Sequence, residues 1–351
     1  MKLVICEKPS VAKAVASALG VTSRVDGCFE GNGLIVSWCV GHLVSPMDAA
    51  GYDPGYKKWK YDDLPILPEP FRYVLAKGKE DAFQNLKRLM DREDVTELVN
   101  ACDAGREGEL IFRLVYEMAG CRKPFSRLWI SSMEDAAIRE GFQNLRPGAE
   151  YDPLYQSALC RQKADWLIGI NATRLFSVLY HRTLNVGRVQ TPTLAMLVDR
   201  DWKISSFKKE KYHHVRLALD GAEAVSEKIA APEEAEALRA ACTGAAVTCT
   251  TVTREQKKEN PPKLYDLTSL QREANRLFGY TAKQTLDYAQ ALYEKKLLTY
   301  PRTDSRYLTA DMAESASAVL HLAARVPSFD GCKEFFPDVT LLVNDKKVSD
   351  H

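Results

Sequence analysis

The 351-residue chain has no apolar run near the ~20 residues that cross a bilayer, which excludes a membrane-spanning helix. Its N-terminus, MKLVICEKPS, lacks the longer apolar stretch of a secretory leader, so a cytoplasmic protein is expected. Cysteine occurs nine times, an odd and scattered set with no C-x-x-C pair. That reads as reduced thiols without zinc. No G-x-x-x-x-G-K-[ST] loop is present, so ATP hydrolysis by that route is excluded. Neither a G-x-S-x-G elbow nor an H-E-x-x-H pair occurs. The histidines are six, and His213-His214 falls in an apparent strand, where a structural role is expected. A net charge of +1 gives no overall field for polyanions, so any nucleic-acid site must be a local basic patch.

What is there is order. The length fits two or three domains. Through residue 150 strand and helix alternate: KLVICE, VAKAVASAL, LIVSWCV, EDAFQNLKRLM, ELVNACD, GELIFRLVYEMAG, SRLWIS and MEDAAIREGFQNL. This predicts a mainly parallel sheet covered by helices, with ligands at the carboxyl ends of strands. Glu7 and Asp103 both fall where a strand stops. From Asp152 to about Arg182 one long helix is expected, opened by Asp-Pro. NVGRVQTP interrupts it and TLAMLVDRDWKI resumes it. YHHVRLALDG and AAVTCTTVTREQ read as strands around the helical PEEAEALRAAC. After the linker-like REQKKENPPK come two helices joined at Gly279-Tyr280, a helix-turn-helix spacing shared by plain hairpins.

Several stretches carry chemistry. Asp103-Ala-Gly-Arg-Glu-Gly-Glu109 follows a strand and opens a helix, where carboxylates can hold magnesium and Gly105 and Gly108 would let backbone approach a ligand. The plainer reading is a helix start whose Glu107 and Glu109 favour the macrodipole. Lys8 is a surface lysine or a group that neutralises a phosphate's developing charge. Arg161, Asp165, Trp166 and Arg174 are candidates for a strand-binding face; Arg161 and Asp165 are equally suited to an i,i+4 ion pair, and Trp166 to the core or to base stacking. Asn185-Val-Gly-Arg-Val-Gln190 sets a glycine turn between amide and guanidinium donors just before a helix, which suits a phosphodiester backbone. LLTYPRTDSRYL sets Tyr300 beside Pro301, Arg302, Thr303, Asp304 and Ser305, either a helix end and turn or a phenol nucleophile facing negative charge.

VICEKPSVAK, DAGREGELI, RQKADWLIGINATR, NVGRVQTP and LTYPRTDSRYL, in this order and across nearly the whole chain, resemble the type IA DNA topoisomerases, in their bacterial topoisomerase III branch. The resemblance implies an α/β multidomain fold: a Toprim domain (1–150), part of a helical single-strand-binding domain (151–208), part of a β arch (209–262) and an incomplete domain carrying the tyrosine (263–351). It implies ATP-independent cleavage, strand passage and religation of single-stranded or locally unpaired DNA. Tyr300 would form a 5′-phosphotyrosyl bond, Arg302 would contact the scissile phosphate, Lys8 would stabilise the transition state and Glu7 would manage protons at the 3′ oxygen. Asn185, Val186, Gly187, Arg188, Val189 and Gln190 would line the DNA groove with Arg161, Asp165, Trp166 and Arg174. The implied cofactor is Mg²⁺ on Glu7, Asp103 and Glu107. A monomer, without ATP or membrane and associated with the nucleoid or a mobile element, is expected.

Two positions depart from the family pattern. Gly105 stands where a second aspartate is usual, and Asn185 where a serine is common. The chain stops at KKVSDH, where His351 matches the first histidine of a His-His-Ala-Ile-Ile-Pro-Thr type segment associated with the cleavage site, so the resemblance adds His351 to the DNA-binding residues and the chain reads as the N-terminal part of a longer protein. A Toprim primase or nuclease would share Glu7 and DAGREGE but has no use for NVGRVQTP or YPRTD. An inactive single-strand-binding fragment is the non-enzymatic alternative.

Overall fold

The computed structural model describes residues 1–130, 133–259, 262–295, 297–328 and 338–348. It divides into two compact units, one of residues 1–187 with 262–351 and one of residues 188–261.

In chain order the first unit begins β1 (Lys2–Cys6), α1 (Pro9–Ala18), β2 (Ser23–Val25), β3 (Cys28–Gly31), β4 (Leu34–Trp38), β5 (Val44–Pro46) and α2 (Ala49–Tyr52). It continues with β6 (Tyr73–Leu75), α3 (Glu80–Met90), β7 (Glu97–Ala101), α4 (Arg106–Met118), β8 (Phe125–Arg127), α5 (Asp135–Gln143), β9 (Arg146–Pro147) and α6 (Asp152–Leu179). The main sheet runs β2-β3-β4-β1-β7-β8-β9. Its centre, β4-β1-β7-β8, is parallel. Alternation along each strand splits the core in two. Leu3, Ile5, Ile35 and Leu98 face α3, α4 and the start of α6, while Val4, Cys6, Val36 and Val99 face α1 and α5. A sheet buried on both faces explains why these strands read as unbroken apolar runs. The chain passes from β1 to β4 on one side and later to β7 on the other, so a crevice opens at the carboxyl ends of these strands.

The second unit holds α7 (Gln190–Ser205), a hairpin of β10 (Arg216–Leu219) and β11 (Ala222–Val225), and α8 (Pro232–Cys242). The strand expected over residues 245–256 is not formed; apolar alternation makes a strand only where a partner supplies the ladder, and none of the described residues pairs with it. The first unit resumes with α9 (Leu267–Phe278), α10 (Ala282–Glu294) and α11 (Ala313–Ala323). The α9–α10 hairpin is locally encoded. Asp266 with Ser269 and Thr281 with Gln284 make capping boxes, and Gly279 ends α9 at φ +70°, a left-handed cap that favours glycine.

Candidate active site

Cys6 of β1 and Ala101 of β7 are register partners, so the turns beyond them bring Glu7 and Asp103 together at the carboxyl edge of the sheet. The two carboxyl groups share a hydrogen bond; burial first, and the Asp103 charge second, push the Glu7 carboxyl above its usual range. Lys8 Nζ lies 3.3 Å from Glu7 Oε1. Burial pulls the Lys8 ammonium down, but Glu7, Tyr300 and Asp103 outweigh it and leave its pKa raised.

Tyr300 comes to this edge from the loop after α10. Lys8 Nζ is 5.6 Å from the centre of its ring. The loop is stapled to the start of α9: the Leu267 N–H donates to Thr303 O (3.1 Å) and Arg306 Nε donates to Leu264 O (2.8 Å). The Ser305 N–H donates to Thr303 Oγ1, so these hydroxyls shape the turn that presents the phenol. Burial raises the Tyr300 pKa, Lys8 and Arg302 oppose that rise, and Asp103 and Glu7 add to it. The Tyr300 phenol, the Lys8 ammonium and two carboxyl groups thus converge, with the exposed Arg302 near enough for its charge to act on the phenol.

The DAGREGE stretch works largely on its own backbone. Gly105, at φ 171° and ψ 175°, is in extended backbone that any residue adopts. Gly108 is different. A Cβ there would lie 2.1 Å from Asp103 O and 3.0 Å from Asp103 C and N, so this glycine approaches the Asp103 main chain rather than a ligand. Gly108→Ala is expected to displace Asp103 and to cost about 1–3 kcal/mol in urea unfolding. An unchanged midpoint would show that α4 can shift without strain.

Glu109 is fully buried, its carboxylate 2.7 Å from Arg127 Nε and 3.3 Å from Arg113 Nε, and it accepts from Asn100 Nδ2 at 2.8 Å. Arg127 also donates to Cys102 O (2.7 Å) and Asp103 O (2.6 Å). This guanidinium fixes the backbone that carries Asp103.

Glu107 faces elsewhere. Its carboxylate is 3.5 Å from His42 Nε2, and a hydrogen bond with His42, with Arg161 and Arg106 acting through charge, lowers its pKa despite partial burial. Among the described residues no group of three His, Cys, Asp or Glu side chains is arranged to hold a metal ion. Of the three expected magnesium ligands, two are in contact, Glu7 and Asp103, with Glu107 turned to His42. Two carboxyl groups in contact at a strand edge fit magnesium, which takes one or two protein carboxylates and keeps waters elsewhere.

The groove candidates separate. On α6, Arg161 acts on Glu107, while Trp166 packs edge-on against Phe71 (5.2 Å) and Tyr52 (6.0 Å). Asp165 is exposed. Arg174 is buried, donating to Tyr56 O (2.8 Å) with its guanidinium 5.4 Å from the Trp59 ring, at a hollow of about 360 Å³. The Asn185-Val186-Gly187 turn is tied to α6: the Val186 N–H donates to Thr173 Oγ1 and the Leu184 N–H to Ser177 Oγ, both at 2.9 Å. Arg188, Val189 and Gln190 belong to the second unit, Gln190 opening α7. His351 lies outside the described residues.

Sequence reasoning missed four residues here: His42, Arg127, Tyr293 and the structural part of Glu109. His42 and Arg127 carry no local signal, since each acts across strands. Tyr293 had one, because Thr285, Ala289 and Tyr293 recur every four residues along α10.

The family model described as DNA topoisomerase matches residues 149–351, more than half of the chain, and the Toprim domain model matches residues 2–133. The chain belongs to the type IA DNA topoisomerases. Its relatives place it in the bacterial topoisomerase III branch. DNA topoisomerase 3 of Shouchella clausii (strain KSM-K16) is 43% identical over 365 residues, covering 100% of this chain and 50% of the relative. DNA topoisomerase 3 of Bacillus subtilis (strain 168) is 41% identical over 361 residues, covering 99% and 50%. The chain therefore spans about half the length of the curated relatives it matches. Among solved structures, full-length topoisomerase I from Thermotoga maritima aligns with a TM-score of 0.62 at 26% identity, covering 91% of this chain and 52% of that one. As a type IA topoisomerase the chain has the α/β multidomain fold expected, with the Toprim sheet at its start.

Proposed function

We propose that this chain carries the cleavage chemistry of a topoisomerase III: ATP-independent opening of single-stranded DNA through a 5′-phosphotyrosyl bond, strand passage by the whole protein, and resealing. The observation that supports it most is the convergence of Tyr300 with Lys8 over the Glu7–Asp103 pair. The Tyr300 oxygen attacks phosphorus as its proton passes to water, and the P–O3′ bond breaks. Lys8 and Arg302 offset the charge that develops on the phosphate. Glu7, whose raised pKa favours a retained proton, supplies one to the departing 3′ oxygen. Because the phosphodiester energy stays in the tyrosyl ester, resealing needs no ATP.

Magnesium on Glu7 and Asp103 would orient the 3′-hydroxyl for return. Gly105 lies in extended backbone, so Gly105→Asp adds a third carboxylate at no conformational cost. The variant is expected to lower the magnesium concentration that half-saturates thermal stabilisation by about tenfold. Identical midpoints would mean that position 105 takes no part in holding the ion.

In this reading residues 1–150 form the Toprim domain, 151–208 the strand-binding helices, 209–262 part of the arch and 263–351 the tyrosine domain. Single-stranded DNA is the partner of a monomer in the cytoplasm. Arg188 would contact the DNA backbone, so Arg188→Ala should weaken all single strands alike and reduce the salt slope by about 0.7. A loss confined to one base sequence would count against that contact.

The test of the reading is incubation with labelled single-stranded oligonucleotide followed by denaturing electrophoresis. A covalent adduct is expected. Free metal-dependent products would mark a nuclease, and a mobility shift that denaturation abolishes would mark a binding fragment.

A further inference from the structure

Tyr300 sits on a loop, and a loop-borne nucleophile needs something rigid to aim it. Lys8 and Tyr293 both lie against its ring. Lys8 lies on one side, its Nζ 5.6 Å from the ring centre. The other contact is Tyr293, whose ring centre is 5.5 Å away at an interplanar angle of 70°, an edge-to-face pair. Tyr293 stands in the last turn of α10, on the face that buries Thr285 and Ala289. The helix closes behind it, where the Leu297 N–H donates to Leu292 O at 3.0 Å. The helix thus anchors one ring and the loop carries the other against it. We propose that Tyr293 is the positioning residue of the nucleophile, its ring fixing the orientation from which the Tyr300 oxygen reaches phosphorus.

This rests on the reading of Tyr300 as the nucleophile. The Tyr293 hydroxyl is not needed for the positioning role, because its contact with Tyr300 is ring to ring. A ring that aims without reacting must keep its shape and can lose its hydroxyl. Tyr293→Phe retains the edge-to-face contact and Tyr293→Leu removes it.

Two measurements decide the matter. In single-turnover adduct formation, Tyr293→Leu is expected to slow covalent capture by at least ~10-fold, the scale of a misplaced reacting group, with oligonucleotide affinity unchanged. Tyr293→Phe is expected to restore the rate to near wild type. Separately, the protein is labelled with 3-fluorotyrosine at its 15 tyrosines, and the Tyr300 resonance is assigned by its loss in Tyr300→Phe. That resonance is expected to move in Tyr293→Leu and to stay close to its place in Tyr293→Phe. An unmoved Tyr300 resonance in Tyr293→Leu, a wild-type capture rate in that variant, or a phenylalanine variant as slow as leucine would each overturn the proposal. Absence of any adduct from the wild-type protein would instead overturn the reading of Tyr300, while the resonance still decides whether the two rings are coupled.

Discussion

Replacing Tyr300 by phenylalanine is expected to abolish covalent capture of single-stranded DNA while leaving affinity for the strand intact. The substitution removes one oxygen. Phenylalanine keeps the ring that packs against Tyr293 and under Lys8, so the loop stapled to Leu264 and Leu267 stays in place. Strand affinity is expected from basic and amide groups elsewhere, which the change does not touch. Capture should fall below detection, since Tyr293, the phenol against the Tyr300 ring, is carried by α10 and not by the loop. An adduct that persists in Tyr300→Phe at the wild-type rate would remove Tyr300 from the chemistry. A variant that loses strand binding as well would show that the phenol oxygen contributes to the groove.

The second large effect is expected at Arg127, where a buried ion pair supports the catalytic edge. Arg127 is 1% exposed and Glu109 is fully buried. Arg127→Met leaves the Glu109 carboxylate with Asn100 and Arg113 and frees the Cys102 and Asp103 carbonyls. Breaking a buried pair by removing one partner costs about 3–5 kcal/mol, because the remaining charge is less well compensated inside. Burial already pushes the Glu109 pKa up against the pull of Arg127 and Arg113, so the carboxyl in the variant should take up a proton rather than stay charged. Pairing the change with Glu109→Gln should therefore recover a substantial part of the loss. Urea unfolding of the single and double variants reads both effects. A single-variant loss under about 1 kcal/mol would mean that Asn100 and Arg113 suffice to hold the Glu109 carboxylate without Arg127.

These two sites also show what the sequence discloses and what it withholds. Helices α3 and α8 were legible to the residue, because EDAFQNLKRLM and PEEAEALRAAC combine an acidic first turn, helical spacing and a basic last turn. The parallel sheet followed from short apolar runs alternating with helices, and Glu7 and Asp103 from their places at strand ends. The β2–β3 hairpin was missed, since its strands are only three and four residues long and too short for periodicity. β8 ends at Arg127, so residues 128–130 of the expected SRLWIS are not strand, and Ser131 lies outside the described residues. The strand expected at 245–256 shows the reverse error, in which propensity alone stood in for a partner. Within the site, Tyr300 and Lys8 were recognisable from neighbouring residues, but His42 against Glu107 and Tyr293 against Tyr300 are meetings of distant segments. No local pattern encodes such contacts; they follow from the strand order and from the angle at which α10 delivers its last turn.

The most direct measurement of the cleavage chemistry is the identity of the bonded atom. The protein is incubated with a single-stranded oligonucleotide, trapped under denaturing conditions, digested with nuclease and protease, and the adducted peptide is sequenced by mass spectrometry. A nucleotide joined through its 5′ phosphate to Tyr300, in the peptide containing TYPRTDSR, with a free 3′-hydroxyl on the released fragment, is the expected result. A nucleotide on Tyr293 or any other residue, a 3′-phosphate linkage, or cleaved DNA with no modified peptide would contradict it.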